Sequence, residues 1–148
     1  STGASADLLE CLPGDDKPVL LRGIILSQIT EVADAAEEGL RISIVRLPGT
    51  VTSGSGGSAV TPAPVESVNT VAFGGTVECN NSTVATSTGT TITLAELGWN
   101  IRNTPFDMWW PDPAFAPRVN QPDGLFVRSQ TAPADTIGIQ LTFVLEEL

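Results

Sequence analysis

Two aspartates, Asp107 and Asp112, bracket a pair of tryptophans in the stretch LGWNIRNTPFDMWWPDPAFAP, residues 97–117. Two carboxylates across a cleft are the working groups of glycoside hydrolysis, one of them kept protonated as the acid. The other acidic pairs are Asp15 with Asp16, Glu37 with Glu38 and Glu146 with Glu147. They sit next to each other, near chain ends or on a helix face, and read as solvated charge. The chain has no histidine and no tyrosine. It therefore lacks the commonest general base and metal ligand, and no Ser-His-Asp or Cys-His site can be assembled from it. GSGGSA, residues 54–59, follows a strand pattern and fits G-x-G-x-x-A. The dinucleotide reading needs a helix to start there, and Pro62 and Pro64 forbid one. The C-x-x-C, H-E-x-x-H and D-x-D-x-D-G patterns of zinc and calcium sites are missing. The expectation is a protein without catalytic residues, cofactor or metal, and not an enzyme.

Residues 97–117 also read as a surface for binding. They hold all three tryptophans, the single methionine, two of the five phenylalanines, and Pro105, Pro111, Pro113 and Pro117. The prolines exclude a helix or a central strand, so a structured aromatic loop is expected. One use for it is structural, with Trp99, Phe106 and Trp109 plugging one end of a β-sandwich. The other is an interface anchor or a sugar-stacking platform built on Trp99, Trp109 or Trp110, because tryptophan is enriched in binding hot spots. Trp109 and Trp110 are neighbours and point opposite ways in an extended segment, so at least one faces outward.

The elements that must position these residues read mostly as strands. VLLRGIILSQIT (residues 19–30) is a long apolar run whose glycine and β-branched residues favour a strand covered on both faces. EVADAAEEG (residues 31–39) is the one helix expected, capped by Thr30 and ended by Gly39. Strand patterns return at residues 40–47, 70–79, 90–97 and 124–130. At the C-terminal end Ile137, Ile139, Leu141, Phe143 and Leu145 alternate with Gly138, Gln140, Thr142, Val144 and Glu146. That alternation defines one buried face, and the turn signal TAPAD before it predicts a hairpin between residues 125–130 and 136–146.

Residues 1–18 show no periodicity and read as an extended arm with a small apolar knot, Leu8, Leu9, Cys11 and Leu12. PGTVTSGSGGSAVTPAPVES (residues 48–67) resembles an interdomain linker. Residues 1–48 are too few to build a core alone, so residues 49–66 are expected to be a long flexible loop inside one domain. The fold expected is all-β: a single jelly-roll-like β-sandwich over residues 19–148, with one short helix, the arm and long loops.

The chain of 148 residues carries 17 acidic against 7 basic side chains, a net charge of -10. Such a field repels nucleic-acid phosphates and anionic lipid, so neither is an expected partner, and it favours solubility at high local concentration. No run reaches the length of a membrane span, and no signal peptide is visible. Cys11 and Cys79 are the only cysteines and read as two reduced thiols. The two overlapping sequons in NNST, residues 80–83, matter only in a secretory context.

Three segments together carry a resemblance: RISIVRLPGTVTSGSGGSAVTPAPV, VECNNSTVATSTGTTITL and APADTIGIQLTFVLEEL. In this order they resemble a group of small β-rich virion proteins of tailed phages, most closely head decoration (cement) proteins. The similarity spans residues 19–148 and departs at ECNN and WWPDP. It implies a non-enzymatic subunit on the capsid surface, assembled in the host cytoplasm, with the major capsid protein as partner. A homo-oligomer is expected, with a trimer matching the threefold sites of a capsid lattice. The candidate interface comprises Leu8, Leu9, Leu12, Trp99, Phe106, Trp109 and Trp110. The alternative is a carbohydrate- or receptor-binding module that uses residues 97–117.

Overall fold

The computed structural model describes residues 5–15, 17–29, 39–68, 71–100, 105–134 and 136–148. Among these the chain is all-β, with every strand pairing antiparallel. In chain order the strands are β1 (Ala6–Leu12), β2 (Val19–Gln28), β3 (Gly39–Leu47), β4 (Val51–Thr52), β5 (Ser58–Ala59), β6 (Thr76–Cys79), β7 (Thr86–Ser87), β8 (Ile92–Asn100), β9 (Phe106–Trp109), β10 (Arg118–Val119), β11 (Gly124–Ser129) and β12 (Ile139–Glu147). The larger sheet runs β5-β6-β1-β11-β3-β8. The smaller one centres on β2, with β12 along one edge and β10 and β9 in succession along the other. The expected helix at residues 31–39 falls, apart from Gly39, outside the described residues, and Gly39 opens β3.

One apolar cluster joins the two sheets. Leu9, Ile42, Ile44, Leu125 and Val127 of the larger sheet share it with Leu21, Ile24 and Leu26 of β2. Ile139, Leu141, Phe143 and Leu145, the alternating face of β12, pack against it half-buried. A second, smaller cluster of Val45, Leu47, Ala85 and Phe126 lies apart from it, with Leu12 and Val51 packed alongside. Because side chains alternate along a strand, Val45 points away from Ile44, so the larger sheet is covered on both faces at this end. The covering layer comes from the β4–β7 pair and its flanking loops.

Two expectations about the N-terminal half are corrected here. The segment read as an arm contains β1, which is an interior strand paired to β6 and to β11. Leu8, Leu9 and Cys11 are buried, and Leu12 is half-buried against Phe126 and its neighbours. The knot thus belongs to the core, not to an interface. Its period was hidden by a bulge. Asp7 pairs with Arg128 and Leu9 with Val127, leaving Leu8 as an extra residue that resets the alternation. Residues 49–66 are likewise not a free loop in their first half. They hold β4 and β5, and Ser55 bridges to Thr83.

Buried polar groups pin that half in place. Glu10 Oε2 accepts the Gly54 N–H at 3.0 Å and the Asn81 amide at 2.9 Å. Asn81 Oδ1 accepts the Gly57 N–H at 3.1 Å. A β-carbon on Gly57 would lie 2.3 Å from that same oxygen, so only glycine admits the contact. Asp7 holds the other loop: its Oδ2 accepts the Ala85 N–H at 2.7 Å, and Oδ1 accepts Arg128 Nε at 2.6 Å. Both carboxylates are buried, and charge-assisted hydrogen bonds offset much of their desolvation.

The C-terminal hairpin is the third correction. β11 pairs with β1 and β3 in the larger sheet, while β12 pairs with β2 in the smaller. The TAPAD segment therefore crosses between sheets. Alternation tells which face of β12 is buried but not which strand it pairs with.

Candidate binding groove at Trp109

The stretch expected to be an aromatic loop is partly strand. Its first residues close β8, and Phe106–Trp109 forms β9 on an edge of the smaller sheet, where prolines on either side are tolerated. In register, Trp109 faces Gly23, Met108 faces Ile24, Asp107 faces Ile25 and Phe106 faces Leu26. Ile24 and Leu26 belong to the core, so Gly23 and Ile25 point outward, and Trp109 and Asp107 with them.

The three tryptophans consequently have different environments. Trp99 is 2% exposed and part of the main cluster, which rules it out as a surface anchor. Phe106 and Trp110 are half-buried against the same cluster. Trp109 is 48% exposed. A β-carbon added to Gly23 would lie 2.5, 2.6 and 3.0 Å from its Cε3, Cζ3 and Cδ2. Nearly equal distances to three consecutive ring atoms mean that the indole lies face down on the Gly23 backbone. One face is supported by the sheet and the other is open.

Val144 of β12 is the partner of Gly23 on the other side, so a row Trp109, Gly23, Val144 crosses the outer face. Beside it lies an open groove of about 530 Å³, lined by Arg22, Trp109, Trp110, Pro111, Val144, Leu145 and Glu146. Arg22 is there because β2 carries a bulge. Gly23 pairs with Val144 and Leu21 with Leu145, leaving Arg22 as the extra residue. The bulge keeps both Leu21 and Ile24 in the core and turns Arg22 toward the groove. Its guanidinium donates to Glu146 Oε2 at 2.6 Å and to the Pro111 carbonyl at 2.7 Å, and its own carbonyl accepts the Trp110 N–H at 2.9 Å. The wall is therefore rigid and electrically balanced: one cation, one carboxylate and one aromatic plane.

Asp107 and Asp112 do not line this groove. Asp107 stands exposed on β9, and Asp112 Oδ1 accepts the Ala114 N–H at 2.8 Å in a local turn. The structure does not assemble them as an acid/base pair at the groove. A second hollow, of about 340 Å³, is lined by Arg46, Arg118, Asn120, Gln121 and Asp123. Asp123 is already engaged there, by the Gly49 N–H at 2.9 Å and by Arg46 at 3.8 Å. Among the described residues, no three of His, Cys, Asp and Glu gather as they would around a metal ion.

Both cysteines are free. Burial, reinforced by the charges of Glu147 and Glu10, pushes the Cys11 thiol up to about 12. Burial also raises that of Cys79. Neither is a nucleophile at neutral pH, because the reactive species is the thiolate. Sequence reasoning found Trp109 and Trp110, read Glu146 only as solvated charge, and missed Arg22 and Gly23. An arginine followed by glycine inside an apolar run is the trace such a bulge leaves in a sequence.

No family model matches the chain, and comparison with the curated proteins and with the solved structures found no match.

Proposed function

We propose that this protein is a non-enzymatic structural subunit of a phage virion that decorates the capsid through protein–protein contacts. The observation that carries a protein-binding role is the pair of open sheet edges. β8 and β12 are nine residues long each and end their sheets. Among the described residues no strand pairs with their outer sides. Short, charged or covered edges are the usual protection against pairing with another chain. Two long edges with no strand on their outer sides among the described residues, on sheets joined by one apolar cluster, fit a subunit that adds strands to, or accepts them from, neighbours.

The finer features of this reading follow from the same likeness in sequence. The two sheets pack face to face as a jelly-roll-like sandwich, the subunit forms a homo-oligomer with a trimer first, and the major capsid protein is the partner on the capsid surface. The edges replace the N-terminal segment as the contact, since Leu8 and Leu9 are committed to the core. The test is co-sedimentation with tailed-phage capsids that lack a decoration protein, together with sedimentation equilibrium of the free subunit. Saturable binding at a fixed ratio to capsomers is expected. A protein that stays in the supernatant at every concentration refutes the reading.

A further inference from the structure

We propose that the groove between Trp109 and the Arg22–Glu146 pair is a binding site for a neutral pyranose. It does not depend on the capsid reading, since a decoration subunit and a free binding module could both carry it.

The first support is the form of the aromatic surface. A pyranose presents a patch of axial C–H groups on one face and a ring of hydroxyls at its edge. Its recognition needs a flat aromatic plane with hydrogen-bonding groups around it. Trp109 supplies the plane, with its lower face against Gly23 and its upper face open. The indole sits on a paired strand backed by a glycine, so little freedom is lost when a ring stacks on it. The groove is predominantly apolar at Trp110, Pro111 and Val144, and polar at Arg22 and Glu146.

The second support is electrostatic. Glu146 retains acceptor capacity beyond the one bond to Arg22, and its side chain is 42% exposed. Arg22, at 21%, is mostly covered and already bonded to Glu146 and the Pro111 carbonyl. The groove thus offers acceptors to hydroxyl donors and no uncompensated cation. The chain around it has a net charge of -10. Sialylated, uronic or sulfated sugars are repelled from such a surface, whereas neutral hexoses are not. The volume of about 530 Å³ has room for one or two sugar rings.

The experiment is a tryptophan-fluorescence titration of the full chain with cellohexaose, laminarihexaose, mannohexaose and chitohexaose, run beside sialyllactose and the peptide TPAPVES. At least one neutral oligosaccharide is expected to shift the emission saturably. Trp109→Ala should weaken that binding about tenfold or more, the loss of one stacking contact. Gly23→Ala should do the same, because its methyl must lift the indole off the sheet. Glu146→Gln should weaken it several-fold. Oxidation of the wild-type chain by N-bromosuccinimide, mapped by mass spectrometry, needs no variant: the bound sugar should protect Trp109. The proposal is overturned if no neutral oligosaccharide shifts the emission, if the sugar leaves Trp109 unprotected, or if Trp109→Ala binds as tightly as the wild type. It is equally overturned if only sialyllactose or the proline-rich peptide binds.

Discussion

Replacing Asp7 by alanine should destabilise the protein far more than a typical substitution of a polar residue. Asp7 is fully buried, and the Arg128 side chain is 13% exposed. The carboxylate takes Arg128 Nε at 2.6 Å and Nη2 at 3.1 Å, and also the Ala85 N–H at 2.7 Å. Alanine removes both acceptor oxygens, and with them all three hydrogen bonds, and keeps the donors. Arg128 retains one bond, from Nη2 to the Ala85 carbonyl at 3.1 Å. A largely buried guanidinium left without its counter-charge costs about 3–5 kcal/mol. The unpaired amide of Ala85, itself buried, adds about 1–3 kcal/mol unless water reaches it. The two terms overlap, because one relaxation can relieve both, so a total of about 4–5 kcal/mol is expected. For a chain of this size that is a fall of about 10 °C or more in Tm. The decisive assay is a double-mutant cycle by urea denaturation at pH 7, using Asp7→Ala, Arg128→Met and the double variant. The double variant should cost less than the sum of the singles by about 2 kcal/mol or more, since removing both charges leaves none stranded. A loss below about 1 kcal/mol for Asp7→Ala, or additive singles, would show that the pair is solvated and that the loop at Ala85 is held by something else.

Two further outcomes follow from the same structure. Deleting residues 1–18 should abolish folding, because it removes an interior strand with buried Leu8, Leu9 and Cys11 and strands Arg128; a native-like far-UV spectrum and a cooperative melt for the deletion would refute this placement of β1. Stability should also fall above pH 9. The folded thiol of Cys11 is held up to about 12 and keeps its proton while the unfolded thiol releases its own, so stability is full below the unfolded value and drops by about 1.4 kcal/mol per pH unit until the folded value is reached. Cys11→Ala should flatten that slope in urea midpoints measured between pH 8 and 11, and an unchanged slope would mean that Cys11 is not the group responsible.

The strands at residues 19–28, 40–47 and 124–129 were legible because β-branched runs and turn residues mark them locally. The buried face of β12 was legible because strict alternation has only one interpretation. That no histidine-dependent site can be assembled from these residues was also determined by composition alone, since no fold supplies a histidine. Bulges hid the rest. One extra residue at Leu8 and another at Arg22 break the period-2 pattern, so β1 looked aperiodic and β2 looked apolar on both faces. Pairing was hidden for a different reason. Register and sheet membership depend on contacts between segments distant in sequence, so a strong local turn signal at TAPAD did not reveal that β11 and β12 lie in different sheets. The glycine-rich segment read as flexible because its composition has no packing of its own; its order comes from Glu10 and Asn81, which lie far from it in the chain. Among the three tryptophans, composition treats all alike. Only the tertiary structure buries Trp99, half-covers Trp110 and lays Trp109 open on Gly23, because exposure depends on which backbone happens to lie beneath each ring.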